Sequence, residues 1–405
     1  MAIASDAVTS PLRIVIGDSS MARYPSGGGH WTVLLQYLLG LRSLGHQVHL
    51  LELLLASEQP DRDERRIETF FRRLAHYGLE NCAALLLFEP GAHPKGRKAR
   101  MDDIPQDIDA ARPYRKSREQ IRQLIGDADM MWNTCCGIRQ PLLGMFRHRV
   151  LLDLDPGHLQ ISALEWDMGI GDHQAFLSVG AKLGDADCDV PTLGVKWHTF
   201  APFVHLPLWE TAPDPPPQSA FTSVTHWTWG ELLWKGRTVS LAKRDGYLPY
   251  VELPQRTGRP FELAVRFDPS DPSGDEAQLQ AHGWKLADPW EVAGSPAAYQ
   301  AYIAASRAEI SCPKPIFREL NTGWFSDRSA CYLASGRPVL AQDTGFSEKL
   351  PTGEGLLTFG TMEEAVEGAA EIDRDYRRHA AAARRVAEEH LDARRCLTRM
   401  LGACG

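Results

Sequence analysis

Short apolar runs bounded by glycine, proline or charge recur along this chain, and between them apolar residues return at helical spacing. The first run, Leu12-Arg-Ile-Val-Ile16, ends at Gly17-Asp18 and predicts a buried strand. Trp31, Leu34, Leu35, Leu38, Leu41 and Leu44 then fall three or four residues apart up to a Gly45-His46 stop, and Gln47–Glu52 predicts the next strand. Strand, glycine-containing loop, helix and strand in that order open a doubly wound parallel sheet. Cys82–Phe88, Ala128–Asn133 and Arg149–Asp155 extend it, and the charged stretch Pro60–Arg73 reads as a helix. A second series comprises Phe221–Thr225, Pro260–Phe267, Glu309–Cys312 and the strand after Gly336-Arg337-Pro338. Helices are predicted over Pro296–Ser306, from Asp327, from the capping box Thr361-Met-Glu-Glu364 through Ile372, and over Arg374–Met400.

Ala212-Pro-Asp-Pro-Pro-Pro217 separates the two series, being stiff and unable to enter a sheet. The expected organisation is therefore two α/β domains over 1–210 and 219–375, a linker at 211–218 and a terminal helix over 376–405. The length of 405 residues suits two domains of about 200 residues each. A 43% apolar and 24% charged composition is that of a globular protein, and a net charge of −8 argues against a broad nucleic-acid or anionic-membrane surface. Met1–Ser10 lacks the pattern of a signal peptide, and the apolar run Thr32–Leu55 is interrupted by Gln36, Arg42, His46, Gln47 and His49, so no membrane span is expected. The eight cysteines show no C-x-x-C spacing, which points to reduced thiols in the cytoplasm and no zinc framework. A homodimer is a possible assembly.

Candidate chemistry gathers at the ends of the predicted strands. Glycines at 27–29 let a backbone approach a ligand, and the helix start behind them favours an anion, although a plain tight turn needs the same residues. No glycine follows three residues after Gly29, so the dinucleotide fingerprint is unmet and nicotinamide chemistry is disfavoured. Asp18, Asp155, His158 and His198 follow strands, and His30 borders the glycine loop. Lys235, Arg237, Lys243 and Arg244 form a basic cluster that is either a solvated face or a phosphate contact, with Lys243 the preferred contact. The loop over Pro90–Arg115 is rich in proline, glycine and basic residues. Asp153-Leu-Asp155 has D-x-D spacing but lies in a buried strand, so no metal is expected there. In Arg318–Leu340, Glu319 and Asp327 flank a turn and a helix start, as ordinary cap acids or as ligand-binding carboxylates.

Two stretches resemble a known family. Pro25-x-x-Gly28-Gly29-x-x-x-Val33-x-x-x-x-Leu38 with Leu41-x-x-x-Gly45-His46-x-Val48 resembles the opening of GT-B glycosyltransferases. Glu319-x7-Asp327 followed by Gly336-Arg-Pro-Val339 resembles their E-x7-E donor motif, with Asp in place of the second Glu and Thr322-Gly323-Trp324-Phe325 in place of Phe-Gly-Leu. The resemblance implies an α/β fold of the GT-B type: two Rossmann-like domains with parallel sheets facing across a cleft, and a terminal helix crossing back. It implies transfer of a hexose from a nucleotide sugar, a UDP-sugar by expectation, to a small-molecule acceptor without metal or further cofactor. Gly28 and Gly29 would lie near the transferred sugar, Glu319 would contact it, and Asp327 would hold the ribose. Lys243 and Arg244 would meet the diphosphate, and the Thr322-Gly323 and Thr344-Gly345 turns would complete the donor site. An inverting reaction needs a base, for which Asp18, Asp155, His158 and His198 are candidates; a retaining one needs none. The rival readings are a nucleotide-sugar 2-epimerase and a non-catalytic binding protein of the same fold.

Overall fold

A computed structural model of the chain describes residues 10–90, 101, 104–268, 270 and 272–404. Its elements begin with β1 (Arg13–Asp18), α1 (Gly28–Ser43), β2 (Gln47–Leu55), α2 (Pro60–His76), β3 (Ala83–Phe88) and β4 (Arg112–Tyr114). Next come α3 (Arg118–Asp127), β5 (Met130–Thr134), β6 (Arg149–Asp153), α4 (His158–Glu165), β7 (Ala175–Ser178) and β8 (Trp197–Thr199). The second series runs β9 (Phe221–Val224), β10 (Glu231–Trp234), β11 (Arg237–Ser240), α5 (Arg244–Tyr247), α6 (Leu253–Thr257), β12 (Phe261–Ala264), α7 (Asp275–Ala281) and β13 (Lys285–Ala287). It continues with α8 (Pro289–Val292), α9 (Pro296–Ala305), β14 (Ala308–Ser311), α10 (Pro315–Glu319), α11 (Asp327–Ala334), β15 (Val339–Gln342) and β16 (Leu356–Phe359). Three helices close the chain: α12 (Met362–Arg374), α13 (Tyr376–His390) and α14 (Ala393–Cys404). Much of the loop read over Pro90–Arg115, and nearly all of Met1–Ser10, lies outside the described residues.

The chain forms two compact units, one of Met1–Arg23, Leu38–Leu152 and Gly169–Ala175, the other of Tyr24–Tyr37, Asp153–Met168 and Phe176–Gly405. In the first, strands lie in the order β4-β3-β2-β1-β5-β6, parallel except for β4 against β3. The β3 sequence Ala-Ala-Leu-Leu-Leu-Phe is buried at every position, the pattern of a strand covered on both faces. Its neighbour α2 turns Ile67, Phe70, Phe71 and Leu74 inward, at intervals of three and four.

The second unit has a wholly parallel six-stranded sheet in the order β13-β12-β9-β14-β15-β16, that is 3-2-1-4-5-6 along the chain. Alternation divides its side chains between two cores: Leu340 and Leu357 join Phe221, Phe261 and α12, while Val339, Ala341 and Leu356 join Tyr299, Tyr332 and α13. The capping box at Thr361 and Glu364 starts α12 as its sequence requires. The expected single helix over Arg374–Met400 is instead interrupted twice. Asp375 caps α13 by accepting from Arg378 N, and at Leu391–Asp392 the backbone leaves helical form to bridge Val204. The hairpin β10–β11, turning on Lys235 and Gly236 with φ of 49° and 77°, has no apolar alternation to announce it. The proline-rich segment is strapped to this unit by buried Arg337, which donates to the carbonyls of Ala212 (3.4 Å) and Pro213 (2.5 Å).

Candidate functional site

In a doubly wound sheet, ligands bind where neighbouring strands send their crossovers in opposite directions, at the strands' carboxyl ends. In the second unit that point lies between β9 and β14. The loop Thr225–Gly230 leaves the first of these strands and Cys312-Pro313-Lys314 leaves the second, while α11 begins nearby at Asp327. Its N-cap is Ser326, whose hydroxyl accepts from Arg328 N at 3.2 Å.

Arg328 is committed to the framework. Its guanidinium pairs with buried Glu309 of β14 at 2.5 Å and donates to Val224 O (2.8 Å) and Ser311 Oγ (3.1 Å), tying α11 to β9 and β14. Lys243 is different. It is half-buried with Nζ 5.5 Å from the Trp324 ring centroid, and has no hydrogen-bond or ion-pair partner among the described residues. Burial first, then the charges of Arg328 and Lys314, push its ammonium down to about 7 against the opposing pull of Asp327 and Glu309. Asp327, the first residue of α11, also has no side-chain partner among the described residues. A cation without an ion-pair partner near a helix N-terminus is an arrangement suited to an anionic group, and a carboxylate left unengaged on the first residue of that helix is suited to hydroxyls.

Asp155 and His158, candidates for a base, meet Lys314 here. One Asp155 oxygen accepts from Lys314 Nζ at 2.5 Å and lies 3.3 Å from His158 Nδ1. Burial alone would raise this carboxyl, but Lys314 and His158 hold it at about 2. A carboxylate so stabilised is a weak base, so the arrangement favours a positioning role for Asp155 over proton abstraction. Asp153 is locked by Gln160 Nε2 (2.8 Å), Ser178 Oγ (2.7 Å) and Asp155 N (3.0 Å). His198 sits in the middle of β8 opposite Leu177, half-buried and bonded to none of the other candidates. Asp18 belongs to the other unit, where it accepts from Ser20 N and Oγ (both 2.7 Å) and Met21 N (3.3 Å). Beside it, burial and the Asp18 charge push the Glu52 carboxyl well up, and Glu52 accepts from Ala22 N at 2.8 Å.

Most of the remaining candidates are engaged by neighbouring backbone or by ion pairs. Gly28 opens α1 with its N–H on Ala293 O at 3.0 Å, and a Cβ there would stand 2.2 Å from that oxygen and 2.6 Å from Ser295 O. Gly29 has room, its nearest neighbour being the Tyr299 ring at 3.9 Å. Thr322 and Thr344 are buried and spend their hydroxyls on Phe317 O (3.1 Å) and Trp324 O (2.6 Å). Gly323 N donates to Thr344 O at 2.8 Å, and the φ values of Gly323 (68°) and Gly345 (93°) bring both turns close over the buried Lys182 stem. Arg244 clasps Asp275 through two nitrogens at 2.7 and 2.9 Å, a fork that Trp227 completes from its indole N–H. Glu319 ends α10 and faces Arg237 of the hairpin at 3.7 Å.

Sequence reasoning missed Lys314, His226 and Trp229. Their one signal was position, one to four residues after predicted strands. Surface cavities of about 570 Å³ (Thr358 to Arg374) and 280 Å³ (Arg13 to Ala128) contain none of the switch-point residues, and their linings are mostly solvated charged and polar side chains. Among the described residues no group of three or more His, Cys, Asp or Glu is placed to hold a metal ion, and no helix is long and apolar enough to cross a membrane.

No protein-family model matches the chain, and no curated protein matches it in sequence. Solved structures do match in fold. Sucrose-phosphate synthase from Thermosynechococcus elongatus superposes with a TM-score of 0.58 at 12% identity, over 97% of this chain and 100% of that one. HepE from Anabaena in complex with UDP and glucose gives 0.57 at 13%, again over 97% and 100%. An alpha-glucosyltransferase in complex with UDP and a 13-mer DNA containing a central A:G mismatch gives 0.57 at 11%, over 97% and 99%.

Proposed function

From a chain whose fold is GT-B, with two Rossmann-like parts, we propose a glycosyltransferase that takes a hexose from a UDP-sugar and passes it to a small-molecule acceptor. The observation that carries this reading is Lys243, a half-buried cation without an ion-pair partner among the described residues, standing with Asp327 at the switch point of the second sheet. In this reading Lys243 and the α11 N-terminus neutralise the diphosphate as the glycosidic bond breaks, so the charge is met without a metal ion. Asp327 accepts the ribose hydroxyls. Glu319 reaches the sugar after exchanging its long 3.7 Å contact with Arg237 for hydroxyl hydrogen bonds. Support for UDP as the nucleotide comes from neighbours of the same fold solved with UDP. One of those neighbours holds DNA, but a net charge of −8 argues against a broad phosphate-binding surface on this chain, which favours a small acceptor.

A thermal-shift screen of the full chain with UDP, UDP-glucose, GDP and ADP tests the donor assignment. A uridine nucleotide at about 100 times its dissociation constant stabilises by roughly 2.7 kcal/mol, and Asp327→Ala weakens that shift. No shift with any nucleotide sinks the proposal. UDP release that requires an added acceptor separates transfer from 2-epimerisation and from simple binding.

A further inference from the structure

Four rings follow one another across the surface of the second unit. Tyr24 stacks on His30 with centroids 5.1 Å apart and planes 16° from parallel. His30 lies 6.3 Å from His226, and His226 lies 6.3 Å from Trp229. All four are exposed, Trp229 at 57%. The row ends on a charge: Lys314 Nζ sits 5.9 Å from the Trp229 centroid and carries Asp155, which in turn carries His158.

Burial does not explain this row. Trp227, two residues before Trp229, packs into the core beside Tyr247 and Phe267, whereas Trp229 leaves its indole in water. Exposing a ring of that size forgoes the burial that usually keeps tryptophan inside. A flat apolar face beside an ammonium, a carboxylate and imidazoles matches one kind of molecule closely. A pyranose has an apolar face of axial C–H bonds and an equatorial rim of hydroxyls. The face lies on an aromatic ring, and the rim exchanges hydrogen bonds with charged and imidazole groups. A wholly apolar aglycone would leave Lys314 and Asp155 desolvated and unused.

We propose that the row Tyr24–His30–His226–Trp229, closed by Lys314 and Asp155, is a carbohydrate-binding subsite for the acceptor, so that the acceptor is itself a sugar. This rests on the glycosyltransferase reading above. Trp229 supplies the stacking face, and Lys314 with His158 meets the hydroxyl rim.

Saturation-transfer NMR tests it on the full chain with UDP present, using the methyl glycosides of glucose, galactose, mannose and N-acetylglucosamine as probes. Aromatic protons are irradiated, and UDP affinity is measured in parallel by calorimetry. The expected result is transfer to the ring protons of at least one glycoside, an affinity reduced about tenfold or more in Trp229→Ala, retained affinity in Trp229→Phe, and UDP binding unchanged in both. Three results overturn it: no glycoside binds although UDP does, which leaves the donor reading intact; glycosides bind equally to wild type and Trp229→Ala; or Trp229→Ala loses UDP instead, which makes the ring a platform for the base. Glycosides that bind through Trp229 without any UDP binding would support the subsite and remove the donor reading.

Discussion

Lys243 gives the sharpest quantitative expectation. Burial together with Arg328 and Lys314 brings its ammonium from 10.5 down to about 7, so near neutrality the free protein holds it only partly charged. A diphosphate binds the charged form, and its presence favours that form further, so binding above pH 7 takes up a proton. Affinity is therefore full below about 7 and falls as pH rises through it. The fall is about tenfold per pH unit, or about 1.4 kcal/mol, until the pKa of the complex is reached. Between pH 7 and 9 the dissociation constant for UDP should rise on the order of a hundredfold. This window avoids the last ionisation of the phosphate, near pH 6. Calorimetric titration with UDP in HEPES and in Tris at each pH reads both the affinity and the proton uptake, through the difference in buffer enthalpy. Lys243→Arg, whose guanidinium stays charged throughout, should bind with an affinity flat over the window. Lys243→Gln should bind weakly at every pH. A wild-type dissociation constant that moves less than about twofold, or a slope that survives in Lys243→Gln, refutes the assignment.

The other expectations concern the framework of the site. Asp155 is held at about 2, below its ordinary 3.8, so its contribution is complete above pH 4 and lost as pH falls toward 2. Urea midpoints between pH 5 and 2 should show wild type losing about 2 kcal/mol more than Asp155→Asn; parallel curves would contradict this. Arg328→Met leaves Glu309 buried and alone, at a cost of about 3–5 kcal/mol, whereas adding Glu309→Met restores much of the loss, as thermal melts of the three proteins would read. Gly28→Ala drives a methyl to 2.2 Å from Ala293 O and should destabilise by about 1–3 kcal/mol, while Gly29→Ala, with 3.9 Å to spare, should be neutral or slightly stabilising. Equal melting temperatures for the two alanine variants would show that the α1 N-terminus shifts freely.

Ala83–Phe88 was legible in the sequence because burial on both faces demands a continuous apolar run, and Met130–Thr134 and Phe221–Val224 because short runs rich in apolar and β-branched residues follow turn signals. The start of α12 was legible because Thr361 and Glu364 satisfy orphan backbone donors locally. The hairpin Glu231–Ser240 was not, since its strands carry no apolar alternation and the groups that meet Lys235 and Arg237, Asp189 and Glu319, lie far along the chain. The break at Leu391 was hidden for the same reason, because Val204 supplies the competing backbone bonds. The sequence by itself placed Lys243, Asp327 and Asp155 after strands or at a helix start, which is a matter of local order. Only the tertiary structure decided what each carries. It brought Lys314 to Asp155 across 159 positions, gave Arg244 to Asp275, and left Lys243 without a counter-ion among the described residues. Charge pairing and desolvation depend on which distant groups arrive within a few ångströms, and that is fixed by packing, not by spacing along the chain.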